Sequence, residues 1–461
     1  MVTPQSLRDA EPAQIIATGV GFRVLSHRLS ERADAVDDTR RRLLAGWSGE
    51  AATAALTRCQ RVSRDLRVAC RTAVACEQVL SRLGERVRAA QGLMAEGQVA
   101  SAVRAAEAAD ADALAFLALG FARPDARPVD VPPPTEPAAV TRWWAGLPPA
   151  ERAWLIEHRP ELIGWRDGVP AVARDAANRR LLATERAGSP GLRALAARLN
   201  EPDLPRAYLL GLDATGDGRA IVAIGDPDLA TDVVTYVPGV NRGLAEVGSL
   251  LGRTDAIATR AAELGPTHRV SAVLWLGYDA PDGPDVALPR AAHGSEAPLD
   301  SFADGLRATH VGDRSHNTVL GHSYGSLVAG VTARDRGLDA DELVLIGSPG
   351  AGVDRAAQLH GVPAGHVWAA AAANDPVQRF APGIGQVAVD ALNNLRHPFS
   401  AHYGDATPDV YLWHGRNPIA EGFGAHVFAA DPTGGHSGYW QGTALDGIAA
   451  ITVGVYPTTE T

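Results

Sequence analysis

The segment "NTVLGHSYGSLVAGVTARDRG", residues 317–337, decides the fold. An apolar run typical of a buried strand leads into "GHSYG", and an Ala/Val-rich run typical of a helix follows. Small glycine neighbours let a strand and a helix approach closely, and the sharp turn between them forces strained backbone at Ser323. The serine hydroxyl then lies above a helix N-terminus, where the helix dipole favours developing negative charge. The pentapeptide alone is a weak signal, but in this context it predicts that Ser323 is a nucleophile.

A nucleophilic serine needs a base, and the base needs a carboxylate that orients it. On a strand-turn-helix of this kind, the carboxylate and then the histidine follow the serine along the chain. The segment "HVWAAAAANDPVQRF" places Asp375 soon after a later strand and beside the rigid Pro376. Asp354, in "GSPGAGVD" after the preceding strand, is the alternative. We predict that Asp375 is the acid.

The base is predicted in a glycine-rich loop, "FAADPTGGHSGYW", which follows the last strand and contains His436. His414 and His426 are the alternatives, but both lie at or within predicted strands. The histidines show no His-x-x-x-His pair of the kind that zinc sites use. We therefore predict that His436 is the base, and we expect neither a metal nor a cofactor.

An oxyanion needs two N–H donors that point at one position. The amide of Tyr324, directly after the nucleophile, is predicted to be one of them. The second donor is expected in "YVPGVNRG", the loop after the third strand. Because Pro238 has no N–H, this donor is Gly239 or Val240.

From residue 206 onward, short apolar runs alternate with helical stretches. The first two runs, "RAYLLGL" and "RAIVAIG", flank "DATGDG" and predict a β-hairpin. That turn matches the start of a calcium-binding loop, but residue 224 is Ile where such a loop needs a carboxylate. The later strands are predicted at "DVVTYVPG", "VSAVLWLGYD", "NTVLGH", "DELVLIG", "HVWAAAAA" and "GAHVFAAD". The alternation predicts an α/β fold with a mostly parallel sheet covered on both faces.

The first 121 residues are predicted to form an all-α domain, because apolar residues recur there at three- and four-residue spacing. Helices are predicted over residues 18–43 and 51–94, with a turn at "WSG", residues 47–49. This turn resembles the Trp-x-Gly helical hairpins of type VII secretion substrates and their relatives. The resemblance implies a possible helical-hairpin protein partner and, as an alternative location, export by a type VII-like route.

Length and composition set the domain organisation. A chain of 461 residues exceeds the size of one typical core, and residues 122–140 contain six prolines. We predict a helical domain at 1–121, a proline-rich linker at 122–140 and an α/β domain at 141–461. The net charge of −10 argues against a nucleic-acid partner. No apolar run is long enough for a transmembrane segment, and the N-terminus lacks a secretory signal pattern, so a cytoplasmic location is expected.

Several further motifs support a family resemblance. They are "WWAGLPPAERAWLIEHRPELIGWRDGVPAVARDAANR", "VLWLGYDAP", "GHSYGS", "VLIGSPGAGVD" and "FGAHVFAADP". With them, residues 141–445 resemble an actinobacterial α/β-hydrolase family first catalogued as a domain of unknown function. The resemblance implies the α/β-hydrolase fold and a Ser-Asp-His triad, which falls here on Ser323, Asp375 and His436.

Two classes of function are consistent with these residues. The first is a serine hydrolase, esterase- or lipase-like, that cleaves a small-molecule or lipid carboxylic ester through an acyl-serine intermediate. Thioesterase and acyltransferase activities use the same triad and stay open. The second class is a non-catalytic interaction or secretion-associated protein, in which the hydrolase domain is only a scaffold.

Overall fold

The computed structural model describes residues 2–120, 133–185, 189–201, 203–239, 243–280, 290–379 and 411–458. The chain forms two compact units. One combines Met1–Val131 with Leu147–His158, and the other combines Pro132–Gly146 with Arg159–Thr461.

Helices dominate the first half of the chain, and strands alternate with helices in the second half. The helices are α1 (Pro4–Asp9), α2 (Pro12–Gly46), α3 (Glu50–Ala95), α4 (Val99–Gly120), α5 (Pro137–Gly146), α6 (Pro149–His158), α7 (Pro160–Ile163), α8 (Ala171–Thr184), α9 (Pro190–Leu199), α10 (Val247–Leu264), α11 (Arg290–Thr309), α12 (Tyr324–Asp335) and α13 (Gly442–Thr452). The strands are β1 (Ala207–Asp213), β2 (Arg219–Ile224), β3 (Asp232–Val237), β4 (Val270–Leu276), β5 (His316–His322), β6 (Glu342–Ile346), β7 (Val367–Ala370), β8 (Tyr411–Leu412), β9 (Gly415–Arg416) and β10 (His426–Val427).

The N-terminal unit contains a long antiparallel hairpin of α2 and α3. The guanidinium of Arg67 on α3 donates to Asp34 and Asp37 on α2, at 2.9 Å each. Leu7 of α1 packs with apolar residues of α3 and α4, and its carbonyl accepts a hydrogen bond from the Gln91 amide at 2.9 Å. The turn predicted at "WSG" separates the two helices. The predicted all-α N-terminal region is confirmed, while the resemblance to type VII hairpins stays a prediction.

The C-terminal end of the predicted linker is helical in the structure. Residues 121–132 lie outside the described residues, whereas residues 137–140 form the first turn of α5. Proline is tolerated at the start of a helix because the first N–H groups have no partner within the helix. Val140 and Trp144 on this helix are buried, so α5 is part of the packed structure. The domain boundary at residue 121 stays a prediction.

The second unit is built on an eight-stranded sheet in the order β1-β2-β4-β3-β5-β6-β7-β10. Neighbouring strands pair in parallel along the series β4-β3-β5-β6-β7-β10. The pairs β1–β2 and β2–β4 are antiparallel. Helices α11 and α12 contribute to the apolar core on one face, and α9, α10 and α13 contribute to the core on the other. The predicted hairpin and the mostly parallel, doubly covered sheet are confirmed. The parallel register brings the carboxyl ends of β3, β5, β6 and β7 to one edge.

Polar side chains of α8 bind the backbone of the edge strand β1. The carboxylate of Asp175 accepts a hydrogen bond from the Leu209 N–H at 2.8 Å, and the Asn178 amide donates to the Leu209 carbonyl at 2.9 Å. Arg174 Nε donates to the Leu210 carbonyl at 2.8 Å. All three side chains are buried. The helix therefore satisfies edge groups that would otherwise be open to pairing with another chain.

Asp228, which follows β2, allows a prediction about pH and stability. Its carboxylate accepts hydrogen bonds from the Ala171 N–H at 2.6 Å and from the Thr309 hydroxyl at 2.5 Å. Burial, together with the charge of Asp226, raises the pKa of Asp228 to about 7. Because the folded-state pKa exceeds the ordinary value of 3.8, the stability contributed by this group is complete below that value and is lost as the pH rises through about 7.

Asp228→Asn should therefore be more stable than the wild type at pH 8, with a smaller difference at pH 5. The asparagine oxygen can still accept from Ala171, and its amide can donate to the Thr309 hydroxyl, which lies 3.1 Å from the Gly305 carbonyl. Urea unfolding of both proteins at the two pH values measures the difference. An equal difference at both pH values would contradict the raised pKa.

Candidate active site

Ser323 lies at the turn between β5 and α12. Its backbone has φ 56° and ψ −130°, and it is the only non-glycine residue of the described segments with positive φ. Such a conformation costs about 1–3 kcal/mol and persists where the surrounding structure enforces it. The strained backbone predicted for this serine is present.

Two glycines flank Ser323 because other backbone segments occupy the space of a side chain. A Cβ atom on Gly325 would lie 2.1 Å from the Val237 carbonyl oxygen. A Cβ atom on Gly321 would lie 2.6 Å from the Cα of Ser326. The pentapeptide therefore allows β5 and α12 to pack against each other and against the end of β3.

The loop after β3 lies directly against the serine side chain. A Cβ atom on Gly239 would be 2.7 Å from Ser323 Cβ and 3.0 Å from Ser323 Oγ. The Tyr278 hydroxyl donates to the Pro238 carbonyl at 2.6 Å and holds this loop. Tyr324 begins α12, and amides in the first turn of a helix point beyond its N-terminus. The other candidate donor, Val240, lies outside the described residues.

Asp375 and His436 form a hydrogen-bonded pair. His436 Nδ1 lies 3.0 and 2.9 Å from Asp375 Oδ1 and Oδ2. The buried carboxylate also accepts from the Tyr439 hydroxyl at 2.6 Å and from the Val377 N–H at 2.9 Å. Burial alone would raise the pKa of Asp375, but the hydrogen bonds from His436, Tyr439 and Val377 and the charge of His436 hold it below its usual value. Asp375 is therefore ionised at neutral pH, and its carboxylate holds the His436 ring by hydrogen bonds to Nδ1.

Gly347 connects the serine turn with the acid–base pair. The Ser323 N–H donates to the Ile346 carbonyl at 3.0 Å, and Gly347 follows with φ +52°. A Cβ atom on Gly347 would lie 2.8 Å from Asp375 Oδ2 and 3.2 Å from His436 Nδ1. The structure thus brings Ser323, Asp375 and His436 to the same edge of the sheet.

Gly347→Ala is expected to lower kcat for an activated ester by about 10- to 100-fold, because the new methyl group must displace Asp375 or His436. Gly216→Ala is a matched control, since Gly216 has φ +60° and nothing lies within 4 Å of its Cβ position. Both variants carry backbone strain, but only the methyl group of Gly347→Ala contacts Asp375 and His436. Activity assays and melting temperatures measure the effects, and equal kcat values for the two variants would contradict this role.

The alternative residues make other contacts. The Asp354 side chain is exposed, and its N–H donates to the Gln358 side chain at 2.9 Å. The His414 ring lies edge-on to Tyr324 at 5.8 Å, and the His426 ring lies 4.9 Å from that of Trp368. Among the hydrogen bonds of the described residues, His436 is bonded to the carboxylate of Asp375 and not to that of Asp354. The catalytic roles themselves stay predictions.

Sequence reasoning missed Tyr439 and His322. The Tyr439 hydroxyl accepts from the Ala372 N–H at 2.9 Å while it donates to Asp375, so it fixes the acid against the chain after β7. His322 Nε2 lies 2.9 Å from the carbonyl oxygen of His436. Both residues adjoin predicted ones in sequence, three positions after the base and one before the nucleophile. That proximity was the available signal.

One surface group within the described residues has the composition of a metal site. The ligand atoms of His293, Glu296 and Asp335 lie within 4.8 Å of one another. The group is at the protein surface, and the guanidinium of Arg334 donates to the Asp335 carboxylate at 2.5 Å. A nearby groove of about 370 Å³ is lined by His293, Arg334 and residues of the segment 413–415. Neither feature includes Ser323, Asp375 or His436.

Comparisons with known proteins agree with the fold. The family described as alpha/beta hydrolase matches residues 213–385. An uncharacterized protein of Mycobacterium tuberculosis H37Rv is 29% identical over 350 residues, covering 66% of this chain and 52% of the relative. An uncharacterized protein of Mycobacterium bovis is 38% identical over 192 residues, covering 39% of this chain and 71% of the relative.

These similarities define the class of protein: the chain belongs to the alpha/beta hydrolase family. The predicted α/β-hydrolase fold is confirmed. The chain spans about half the length of the first of these relatives.

Proposed function

We propose that this protein is a serine hydrolase that cleaves a carboxylic ester through an acyl-serine intermediate. The observation that carries the proposal is the strained Ser323 turn at the same sheet edge as the buried Asp375–His436 pair. A strained serine alone is compatible with a tight turn, and an acid–histidine pair alone is compatible with a structural ion pair. Their arrangement beyond the carboxyl ends of β5, β7 and β10 in one parallel part of the sheet supports catalysis.

The hydrogen bonds between Asp375 and His436 support a proton path from Ser323. Because Asp375 is ionised, the proton of His436 resides on Nδ1, and Nε2 can accept the Ser323 hydroxyl proton. The serine oxygen attacks the ester carbonyl carbon, and the carbonyl oxygen becomes an oxyanion. The amide of Tyr324, with Gly239 or Val240, stabilises this charge.

His436 then protonates the leaving alkoxide and the carbon–oxygen bond of the ester breaks, which leaves the acyl group on Ser323. Water then attacks the acyl carbon while His436 takes one of its protons. The bond between the acyl carbon and Ser323 Oγ breaks, His436 returns the proton to Oγ, and the carboxylic acid leaves. Thioesterase and acyltransferase activities also begin with formation of the acyl-serine intermediate. They differ in the leaving group or in the acceptor that replaces water.

The substrate class is tested on the full-length protein with p-nitrophenyl esters of graded chain length, acyl thioesters, and esters with added alcohol acceptors. Preferred release of free acid from esters supports the proposal. Faster turnover of thioesters, or transfer of the acyl group to the alcohol, would favour the two alternatives. If the folded protein neither turns over these substrates nor reacts with a fluorophosphonate probe, the interaction-protein alternative replaces the proposal.

The location and the partner are part of the same proposal. No helix in the described ranges is both long and apolar enough to cross a bilayer. We propose a cytoplasmic enzyme that acts on a small-molecule or lipid ester, with type VII-like export and a helical-hairpin partner as the alternative. Fractionation of cells into cytosol, envelope and medium, followed by immunoblotting, distinguishes these locations.

A further inference from the structure

We infer that His322, the residue directly before the nucleophile, is a positioning residue that holds the catalytic base in place through the His436 backbone carbonyl. This inference rests on the proposed function. It assigns a role to the variable position of the Gly-x-Ser-x-Gly pattern that the triad leaves unexplained.

The first support is the hydrogen bond between the two histidines. His322 Nε2 lies 2.9 Å from the carbonyl oxygen of His436, and a carbonyl oxygen can only accept. The proton of a neutral His322 is therefore on Nε2, and this N–H donates. Since Ser323 is the next residue, one hydrogen bond joins the nucleophile's strand to the loop that carries the base.

The second support is the contact between the rings. The centroids of His322 and His436 are 4.8 Å apart with an angle of 31° between the planes. Tyr439 and Trp440 close the other sides, with centroids 5.7 and 5.3 Å from that of His322. The His322 side chain is buried within this cluster.

The third support is that His322 stays uncharged beside a group that must become charged. Burial, followed by the charges of His436 and Arg253, lowers the pKa of His322 to about 3, although the His436 carbonyl and Asp375 act in the opposite direction. His436 becomes an imidazolium when it takes the serine proton. A second protonated ring at this distance would oppose that step, whereas a neutral ring does not.

The test compares His322→Gln, His322→Asn and His322→Phe with the wild type. Glutamine can place an N–H group near the position of the histidine Nε2, asparagine is too short to do so, and phenylalanine keeps the ring without a donor. We expect His322→Phe and His322→Asn to lower kcat by about 10- to 100-fold with little change in KM, and His322→Gln to keep most of the wild-type kcat. The rate of fluorophosphonate labelling should follow the same order.

A second readout needs no substrate. The Nδ1–H proton of His436, bonded to Asp375, should give a low-field proton NMR signal that shifts or broadens in His322→Phe and is retained in His322→Gln. Wild-type kcat in both His322→Phe and His322→Asn would overturn the inference. Equal losses of kcat in His322→Gln and His322→Asn that follow the loss of melting temperature would also overturn it, because they indicate a purely structural role. If the wild type hydrolyses nothing, the proposed function fails, and the NMR signal still decides whether His322 positions His436.

Discussion

Ser323→Ala is expected to lower kcat for an activated ester by about 10⁴- to 10⁶-fold, as removal of one member of a serine triad does. Alanine keeps the small size that the contact with Gly239 requires, but it removes the only atom that can form the acyl intermediate. The hydrogen bond from the residue-323 N–H to the Ile346 carbonyl is unaffected, so the fold should be retained. Residual hydrolysis would come from substrate binding and the oxyanion site.

Ser249→Ala is the matched control for this variant. Ser249 is exposed on α10, and its hydroxyl donates to the Glu246 carbonyl at 2.9 Å. The control should keep wild-type kcat. A Ser323→Ala protein that retains more than about a tenth of wild-type kcat would contradict the nucleophile assignment.

Asp375→Asn is the second large effect, with an expected loss of about 10²- to 10⁴-fold in kcat, or roughly 3–5 kcal/mol. An asparagine N–H facing His436 favours the tautomer with its proton on Nε2, which cannot accept the serine proton. The substitution also leaves fewer acceptor sites for the hydrogen bonds from Tyr439 and Val377. The melting temperature of Asp375→Asn should stay close to that of the wild type, so that the loss of kcat does not come from unfolding.

Asp354→Asn is the control for the acid, because this carboxylate was the alternative and its side chain is exposed. It should lower kcat by less than about tenfold. Both variants are compared on one activated ester at one pH. A severe loss of kcat in Asp354→Asn with a mild loss in Asp375→Asn would show that Asp354, and not Asp375, is the catalytic acid.

The candidate site was predictable where its signals are local. The run that forms β5, the glycines around Ser323 and the loop that contains His436 each depend on a few neighbouring residues. The order of serine, acid and histidine along the chain left Asp354 and Asp375, and the position of Asp375 soon after its strand and beside Pro376 then selected it. These features follow from backbone geometry and from the chemistry of the nucleophile, so a single sequence reveals them.

Other features depend on contacts between distant segments and could not be predicted. Gly347 is one of many glycines, and only the folded chain places it between Asp375 and His436. The contact of His322 with His436 joins residues 114 positions apart. The start of α5 at Pro137 was hidden because proline-rich sequence is typical of a linker, although proline is also suited to the first turn of a helix.

The central claim is that Ser323 forms a covalent acyl-type intermediate. The most direct test is to label the folded protein with a fluorophosphonate, digest it and locate the adduct by mass spectrometry. We predict one stoichiometric adduct on Ser323, absent after heat denaturation and from the Ser323→Ala variant. Stoichiometric labelling of another residue, or an unlabelled Ser323 in folded protein, would contradict the account.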